Sequence, residues 1–423
     1  MITPTSNEAQ EVTRNKKFRN CFSKTVQQKI GRTVLSRTRH IASLAAGVAL
    51  ILAATALPSH ATTQTVSYSG YAGFSSITYQ SQFYGFASLV NRPLTEGVQA
   101  YDYAVKILHT GEDTGYRKRA FWLGRWKQSA YGYDGDHILQ ITSGDGAPNT
   151  WSMWYGHPDV YVGWEEFGAN TWWAGNIGDP NVVFNPANNT WIMLAQRQID
   201  AGMPCDYGGT ALMACDRIQY LSSGNCAYPW SKKTDRGVVI NLTDPRRTAL
   251  HHPELIYVSG DAQPWWLYVG ASVNGVNLGY QRMKSADPTT FDWNTRETSN
   301  QSQLGNQIGY LNNCPGGRLF MRITFVDNGA GRTVPSMQIS RDGLNWDFGA
   351  NGPLKMEGST DNLHNKNCYF LGMSTMSGQG PIYFFGGNHW QVLYGATTAN
   401  SPGGSDILYS EIGSGQANIY VNP

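Results

Sequence analysis

Charge is scarce in this 423-residue chain: only 15% of its residues are Asp, Glu, Lys or Arg. That lies well under the usual quarter and excludes a long charged coiled coil or a chain held open by self-repulsion. Helical spacing of apolar residues is missing after residue 61, so a helical bundle is excluded. No C-x2-C pair occurs, which disfavours a zinc ribbon. Neither G-x-x-x-x-G-K nor G-x-G-x-x-G stands between a strand and a helix, which removes the usual phosphate cradles. Beyond residues 41–57, no stretch is long and apolar enough to span a membrane.

The charge that does exist is unevenly placed. Nine Lys and Arg lie between Arg14 and Arg39, against Glu8 and Glu11, and the uncharged run Ile41 to Leu57 follows. Pro58 then precedes Ser59-His60-Ala61, a small-x-small cleavage pattern. This is the layout of a secretory signal over residues 1–61, with Thr62 as the expected mature start. An uncleaved anchor is the alternative, since seventeen apolar residues sit at the lower limit for a spanning helix. Removal of residues 1–61 leaves 23 basic against 28 acidic groups, a net charge of −5. With no basic patch in that remainder, nucleic acid is not an expected partner. The expected localisation is secreted or periplasmic, with no membrane contact after cleavage.

Cysteines are few. Cys21 leaves with the leader, and Cys205, Cys215, Cys226, Cys314 and Cys368 remain, an odd number. Export favours disulfides; a Cys205–Cys215 loop staple is the first expectation and Cys314–Cys368 the second, with zinc ligation as the rival.

What the chain has in quantity is Gly (47), Tyr (23) and Trp (14). An alternating strand, a small polar turn and a tryptophan recur four times, ending at Trp151, Trp230, Trp293 and Trp346. Ahead of each copy lies an aromatic-rich strand: RAFWLGRW from Arg119, TWIMLAQR from Thr190, PWWLYVGASV from Pro264 and GRLFMRITFV from Gly317, with PIYFFGGN from Pro381 as a fifth. Ahead of those lies a further set: AYDYAVKIL from Ala100, GDPNVVFNP from Gly178, HPELIYV from His252, QIGYLNN from Gln307 and NCYFLGM from Asn367. DILYSEIG from Asp406 completes the third set without a tryptophan turn. Three strands repeated five times predict an all-β fold, a five-bladed β-propeller with four-stranded antiparallel blades around a central channel. The propeller takes residues 100–423. Residues 62–99 add an outer strand to the last blade or cover one face. Two packed β-sandwich domains are the alternative architecture, although no linker separates halves.

In SRDGLNW, Asp342 can accept turn N–H groups, Gly343 tolerates positive φ, and Trp346 packs into the blade. Such turns resemble the Asp-box turns of sialidase-like propellers, which places Asp342, Asp287 and Asp145 in folding rather than catalysis.

A propeller brings the starts of its inner strands around one channel mouth, where ligands bind. Polar residues there include Asp102, Asp179, His251, His252, Glu254 and His364, and neighbouring loops add Asp134, Trp164, Trp172, Trp173 and Trp390. GDPNVVFNPANNTWIMLAQ resembles the Asp-Pro inner strand and following strand of the five-bladed glycosidases, the arabinanase/β-xylosidase group and its invertase/levansucrase relatives. The five-blade pattern of that superfamily covers roughly residues 100–413, and motif matching is confined to blades two and three. The resemblance implies an Asp base or nucleophile in blade one, an Asp that tunes the acid in blade two, and a Glu acid in blade three. Asp179 matches the second. In blade three, strict register puts His251 in the acid's slot, with Glu254 three positions on. Blade one lacks Asp-Pro and offers Asp102.

Glycoside cleavage needs one protonated and one ionised carboxyl, and their separation decides retention or inversion. The expected roles are Asp179 as ionised helper, Glu254 as acid, and Asp102 or Asp134 as base. Flat rings stack on sugar C–H faces, which assigns substrate binding to Trp164, Trp172, Trp173 and Trp390, with His251, His252 and His364 as polar partners. No cofactor or catalytic metal is expected, and a structural calcium in the channel stays open. The expected partner is a poly- or oligosaccharide and the expected state a monomer. A non-catalytic carbohydrate-binding propeller is the second reading, a protein-interaction propeller the third.

Overall fold

The computed structural model describes residues 60–83, 102–110, 118–128, 133–144, 160–162, 177–198, 204–206, 211–214, 216–223, 237–242, 247–300, 307–327, 333–350, 352, 367–373, 375–382, 389–397 and 410–422. All of them belong to one unit, Pro58–Pro423. The only helical turn among them is a 3-10 turn, Trp293–Thr295, so the described fold is all-β.

Five sheets of three or more strands follow one another along the chain. A hairpin of β1 (His60–Ser67) and β2 (Ser76–Phe83) comes first. Sheet I holds β3 (Asp102–His109), β4 (Lys118–Gln128), β5 (Tyr133–Ser143) and the short β6 (Val160–Val162). Sheet II holds β7 (Ile177–Asn185) and β8 (Thr190–Gln198). A small hairpin of β9 (Pro204–Asp206) and β10 (Ala211–Ala214) intervenes before its β11 (Asp216–Ser223) and β12 (Gly237–Val238). After β13 (Ile240–Asn241) comes sheet III, with β14 (Thr248–Tyr257), β15 (Trp265–Val273) and β16 (Val276–Ser285). Next, β17 (Phe291–Asp292) pairs with β13, and β18 (Glu297–Thr298) edges sheet III. Sheet IV holds β19 (Ile308–Cys314), β20 (Gly317–Asp327) and β21 (Thr333–Ser340). Sheet V begins with β22 (Asn367–Met373). The short β23 (Thr375–Met376) then crosses to pair with β3 of sheet I. β24 (His389–Thr397) and β25 (Ser410–Asn422) complete sheet V, and β2 and β1 extend it beyond β25. N- and C-terminal strands thus share one sheet. β1 itself begins at His60, two residues ahead of the expected mature start.

The sheets meet in circular order. β3 packs on β7, β7 on β14, β14 on β19, β20 on β22, and β22 returns to β3. This arrangement explains why middle strands are apolar on both faces rather than alternating. In β15, Trp265, Leu267 and Val269 pack with Val183, Ile192 and Leu194 of sheet II. The intervening Trp266 and Tyr268 pack with Ile308, Tyr310 and Phe320 of sheet IV. Sheet IV then turns Leu319, Met321 and Ile323 toward Ile77, Tyr79, Met373 and Ile419 of sheet V. A period of two places successive side chains on opposite faces, and each face finds a neighbouring sheet. Each large side chain so buried contributes roughly 1.5–3 kcal/mol.

The turn predicted at Asp342 forms. Its Oδ1 accepts from the N–H of Leu344 and Asn345, both at 2.8 Å, and from Ser340 Oγ at 2.9 Å. Gly343 has φ +72, and a Cβ there would meet the Tyr268 hydroxyl at 2.5 Å. Trp346 is buried and bonded through its backbone to Asn300, just after β18 of the preceding sheet. The accepted N–H bonds outweigh desolvation and hold the Asp342 carboxyl down at about 2.

Two expectations are corrected. The second strand of sheet V is not Pro381 onward but β24, paired with β22 and β25. Pro381 and Ile382 instead make bridges to Tyr310 of sheet IV and to Thr375 of β23, which pairs with sheet I. Cys314 carries a free thiol, which removes a Cys314–Cys368 bridge. It ends β19 at the hairpin into β20, whereas Cys368 lies within β22 beside β24. Trp151, Trp230 and Asp145 lie outside the described residues, as do Cys215 and Cys226 and nearly all of the 1–61 leader; only its His60 and Ala61 are described, in β1.

Candidate active site

Four inner strands carry one extra residue at matching places. Register slips between Tyr103 and Lys106 in β3, Gly178 and Asn181 in β7, His251 and Glu254 in β14, and Tyr369 and Gly372 in β22. The bulged pairs are therefore Ala104-Val105, Asp179-Pro180, His252-Pro253 and Phe370-Leu371. Proline suits the second position because a bulge leaves a ladder donor unused. Asp179 and His252 both take positive φ, +47 and +49. A non-glycine residue held in that region costs on the order of 1 kcal/mol or more, and such strain gathers at functional sites.

These two strained residues meet. Asp179 Oδ2 lies 2.6 Å from His252 Nδ1. Asp179 is only 5% exposed, and its other oxygen, Oδ1, is buried without a hydrogen-bond partner among the described residues. Burying a charged oxygen unpaired is costly unless something else supplies a donor. The backbone N–H of His252 donates to Gln196 Oε1 of β8 at 3.1 Å, and the His251 ring stands 6.2 Å from that of His252.

Glu254, two residues on, has a different fate. Lys106 Nζ of sheet I donates to its Oε2 at 2.6 Å, and the Ile308 N–H of sheet IV donates to its Oε1 at 2.9 Å. Both carboxylate oxygens are thus occupied, and the residue is 1% exposed. Burial pushes the carboxyl up, opposed by the Lys106 charge and these hydrogen bonds. Asn181 Oδ1 accepts from Leu255 N–H at 3.1 Å. Gln307, just ahead of β19, donates from Nε2 to Ile107 O and Thr375 Oγ1. Its Oε1 accepts from the N–H of Ile107 and Met373. All five sheets are therefore tied by buried polar side chains of their inner strands.

Of the expected site residues, the structure brings Asp179 and His252 together with His251 beside them, and gives Glu254 to the interior network. Asp102 opens β3, paired with Gly124, and Gly124 pairs with His137 of β5. Asp134 sits three residues before His137, opposite Lys127. Both are strand positions whose side chains lie outside the described residues, as does that of Trp390 in β24. Trp164, Trp172, Trp173 and His364 lie wholly outside them. Sequence reasoning passed over Lys106, Asn181, Gln196 and Gln307. Lys106 did leave a signal, a lone charge within the apolar run AVKIL. No group of three or more His, Cys, Asp or Glu among the described residues is placed to hold a metal ion.

No family model matches this sequence, and no curated protein is significantly similar to it. Solved structures are similar in fold. The catalytic domain of a GH62 alpha-L-arabinofuranosidase from Coprinopsis cinerea aligns with a TM-score of 0.51 at 13% identity, over 84% of this chain and 97% of that one. The protein BT0996, solved as an RGII complex, aligns with a TM-score of 0.51 at 11% identity, over 82% and 92%. An alpha-L-arabinanase from Cellvibrio cellulosa complexed with arabinohexaose reaches a TM-score of 0.40 at 12% identity, over 74% and 91%, too low to bear on the argument. The resemblance to β-propeller glycoside hydrolases read from the sequence is thus present in the fold itself.

Proposed function

We propose that this chain is an exported glycoside hydrolase-like protein acting on a poly- or oligosaccharide, its site at the channel end where Asp179 meets His252. The five sheets are read as five blades, with β3, β7, β14, β19 and β22 lining the channel. The observation that carries the reading is the Asp179 carboxylate, strained at φ +47, buried, and holding one oxygen with no partner among the described residues. A carboxylate built that way suits a sugar hydroxyl or a developing positive charge at an anomeric carbon, and this chemistry needs no cofactor. The likeness in fold to the catalytic domain of a GH62 alpha-L-arabinofuranosidase supports the same class. The leader layout supports a secreted or periplasmic setting, and a monomer is the proposed state.

A second reading, carbohydrate binding without cleavage, is favoured by one feature. Ala104 stands in β3 at the bulge register that Asp179 holds in β7, and Glu254 is engaged by Lys106. A screen of the purified full chain on aryl glycosides and on plant and bacterial polysaccharides separates the two. Turnover that falls at least about 100-fold in Asp179→Asn supports the first reading. Turnover undiminished in that variant sinks the site. Retention on a polysaccharide without turnover selects the second.

A further inference from the structure

We propose that His252 is the proton-donating catalytic residue and that Asp179 is the positioning residue that holds its ring; this rests on the glycoside-cleaving reading above. A group that protonates a leaving oxygen must reach the ligand and must recover its proton from solvent between turnovers. Glu254 meets neither demand: it is 1% exposed, with Oε2 on Lys106 and Oε1 on the Ile308 N–H. The His252 side chain keeps 18% exposure beside an Asp179 side chain with 6%.

The imidazole is fixed from several directions. Asp179 Oδ2 lies 2.6 Å from Nδ1, the backbone N–H donates to Gln196 Oε1, and the bulge holds φ at +49. The Asp179 carboxylate holds Nδ1 by close approach rather than by an aligned hydrogen bond, and Nε2 is the atom assigned to proton exchange with the ligand. Among the described residues, the charged and titratable groups around the pair are His251 on the same strand, the Lys106–Glu254 pair, and Tyr280, whose hydroxyl feels both Asp179 and Glu254.

The step balances without a co-reactant other than water. The imidazolium proton passes to the glycosidic oxygen as the bond from that oxygen to the anomeric carbon breaks, and the bonding pair leaves with the oxygen. A water oxygen bonds to the anomeric carbon, and the proton it sheds returns to the imidazole through solvent. Two hydroxyl products and a recharged His252 result.

The test is leaving-group dependence. The full chain and its His252→Ala, His252→Gln, Asp179→Asn and Glu254→Gln variants are assayed on 2,4-dinitrophenyl, 4-nitrophenyl and methyl α-L-arabinofuranosides and β-D-xylopyranosides. A dinitrophenolate leaves without protonation, so His252→Ala is expected to keep activity there within about 10-fold while losing roughly 10²–10⁴-fold on the methyl glycosides. His252→Gln keeps a hydrogen-bonding side chain but no transferable proton and shows the same pattern, which covers the case of an unfolded alanine variant. Asp179→Asn steepens the dependence less. Equal loss on every leaving group, or a steepened dependence in Glu254→Gln instead, overturns the assignment while leaving the glycosidase reading intact. Absence of turnover by the unaltered chain on every substrate overturns both.

Discussion

Glu254 and Asp179 lie on neighbouring inner strands, each at a one-residue bulge, and they meet opposite surroundings. Asp179 lies within its bulge; Glu254 is the residue that follows the bulge of β14. The bulge shifts the pleat, so the residue after it turns toward the interior, where Lys106 of sheet I and the Ile308 N–H of sheet IV are waiting. The residue inside it stays strained and keeps an oxygen without a partner among the described residues. The fold satisfies one carboxylate fully and the other in part. Carboxylate identity here says less about chemistry than register relative to the bulge.

The stability of variants offers the sharpest break of that contrast. Glu254→Gln strands the buried Lys106 ammonium and is expected to cost about 3–5 kcal/mol, read by denaturant unfolding. Pairing it with Lys106→Met should return a large part of that loss; an additive double variant would mean the pair does not couple. Gln307→Ala removes the side chain that bonds Ile107, Thr375 and Met373. Leaving those buried groups unmatched costs about 2–3 kcal/mol, seen as a lowered urea midpoint.

Asp342 is an intermediate case, a carboxylate consumed by its own turn near the surface. Asp342→Ala should cost about 1–2 kcal/mol, as for a lost capping side chain. Its folded carboxyl is depressed to about 2 from 3.8, so its stabilising contribution is full above 3.8 and fades as pH falls toward 2. Acid titration of Tm should therefore show a shallower slope in that window for Asp342→Asn than for the unaltered chain. Asp179→Asn sits at the other extreme. It removes a charge whose buried oxygen has no partner among the described residues, so stability should shift by less than about 1 kcal/mol while activity falls. A loss as large as that of Glu254→Gln would erase the distinction between the two carboxylates.

Much of the architecture was legible because its physics is local. Alternation and β-branched or aromatic composition marked thirteen of the inner, middle and third strands close to their true bounds, from AYDYAVKIL to PSMQIS. Asp342, Gly343 and Trp346 were readable for the same reason, since a turn's hydrogen bonds lie within six residues. PIYFFGGN misled because composition marks extended chain without saying which partner it finds. Asp179 was visible through its Asp-Pro, and His252 through its His-Pro, both positions where a bulge tolerates proline. The contact between them was not visible, because it joins residues 73 positions apart in the sequence.

The sequence by itself determined that this chain forms strands, that they come in repeated sets, and that polar residues open the inner members. These follow from side-chain period and turn chemistry. Only the tertiary structure decided that Lys106 claims Glu254, that Gln307 ties three sheets, and that Asp179 faces His252. Such pairings depend on which residue a bulge turns inward and on which sheet lies opposite, and neither quantity is written in any one strand.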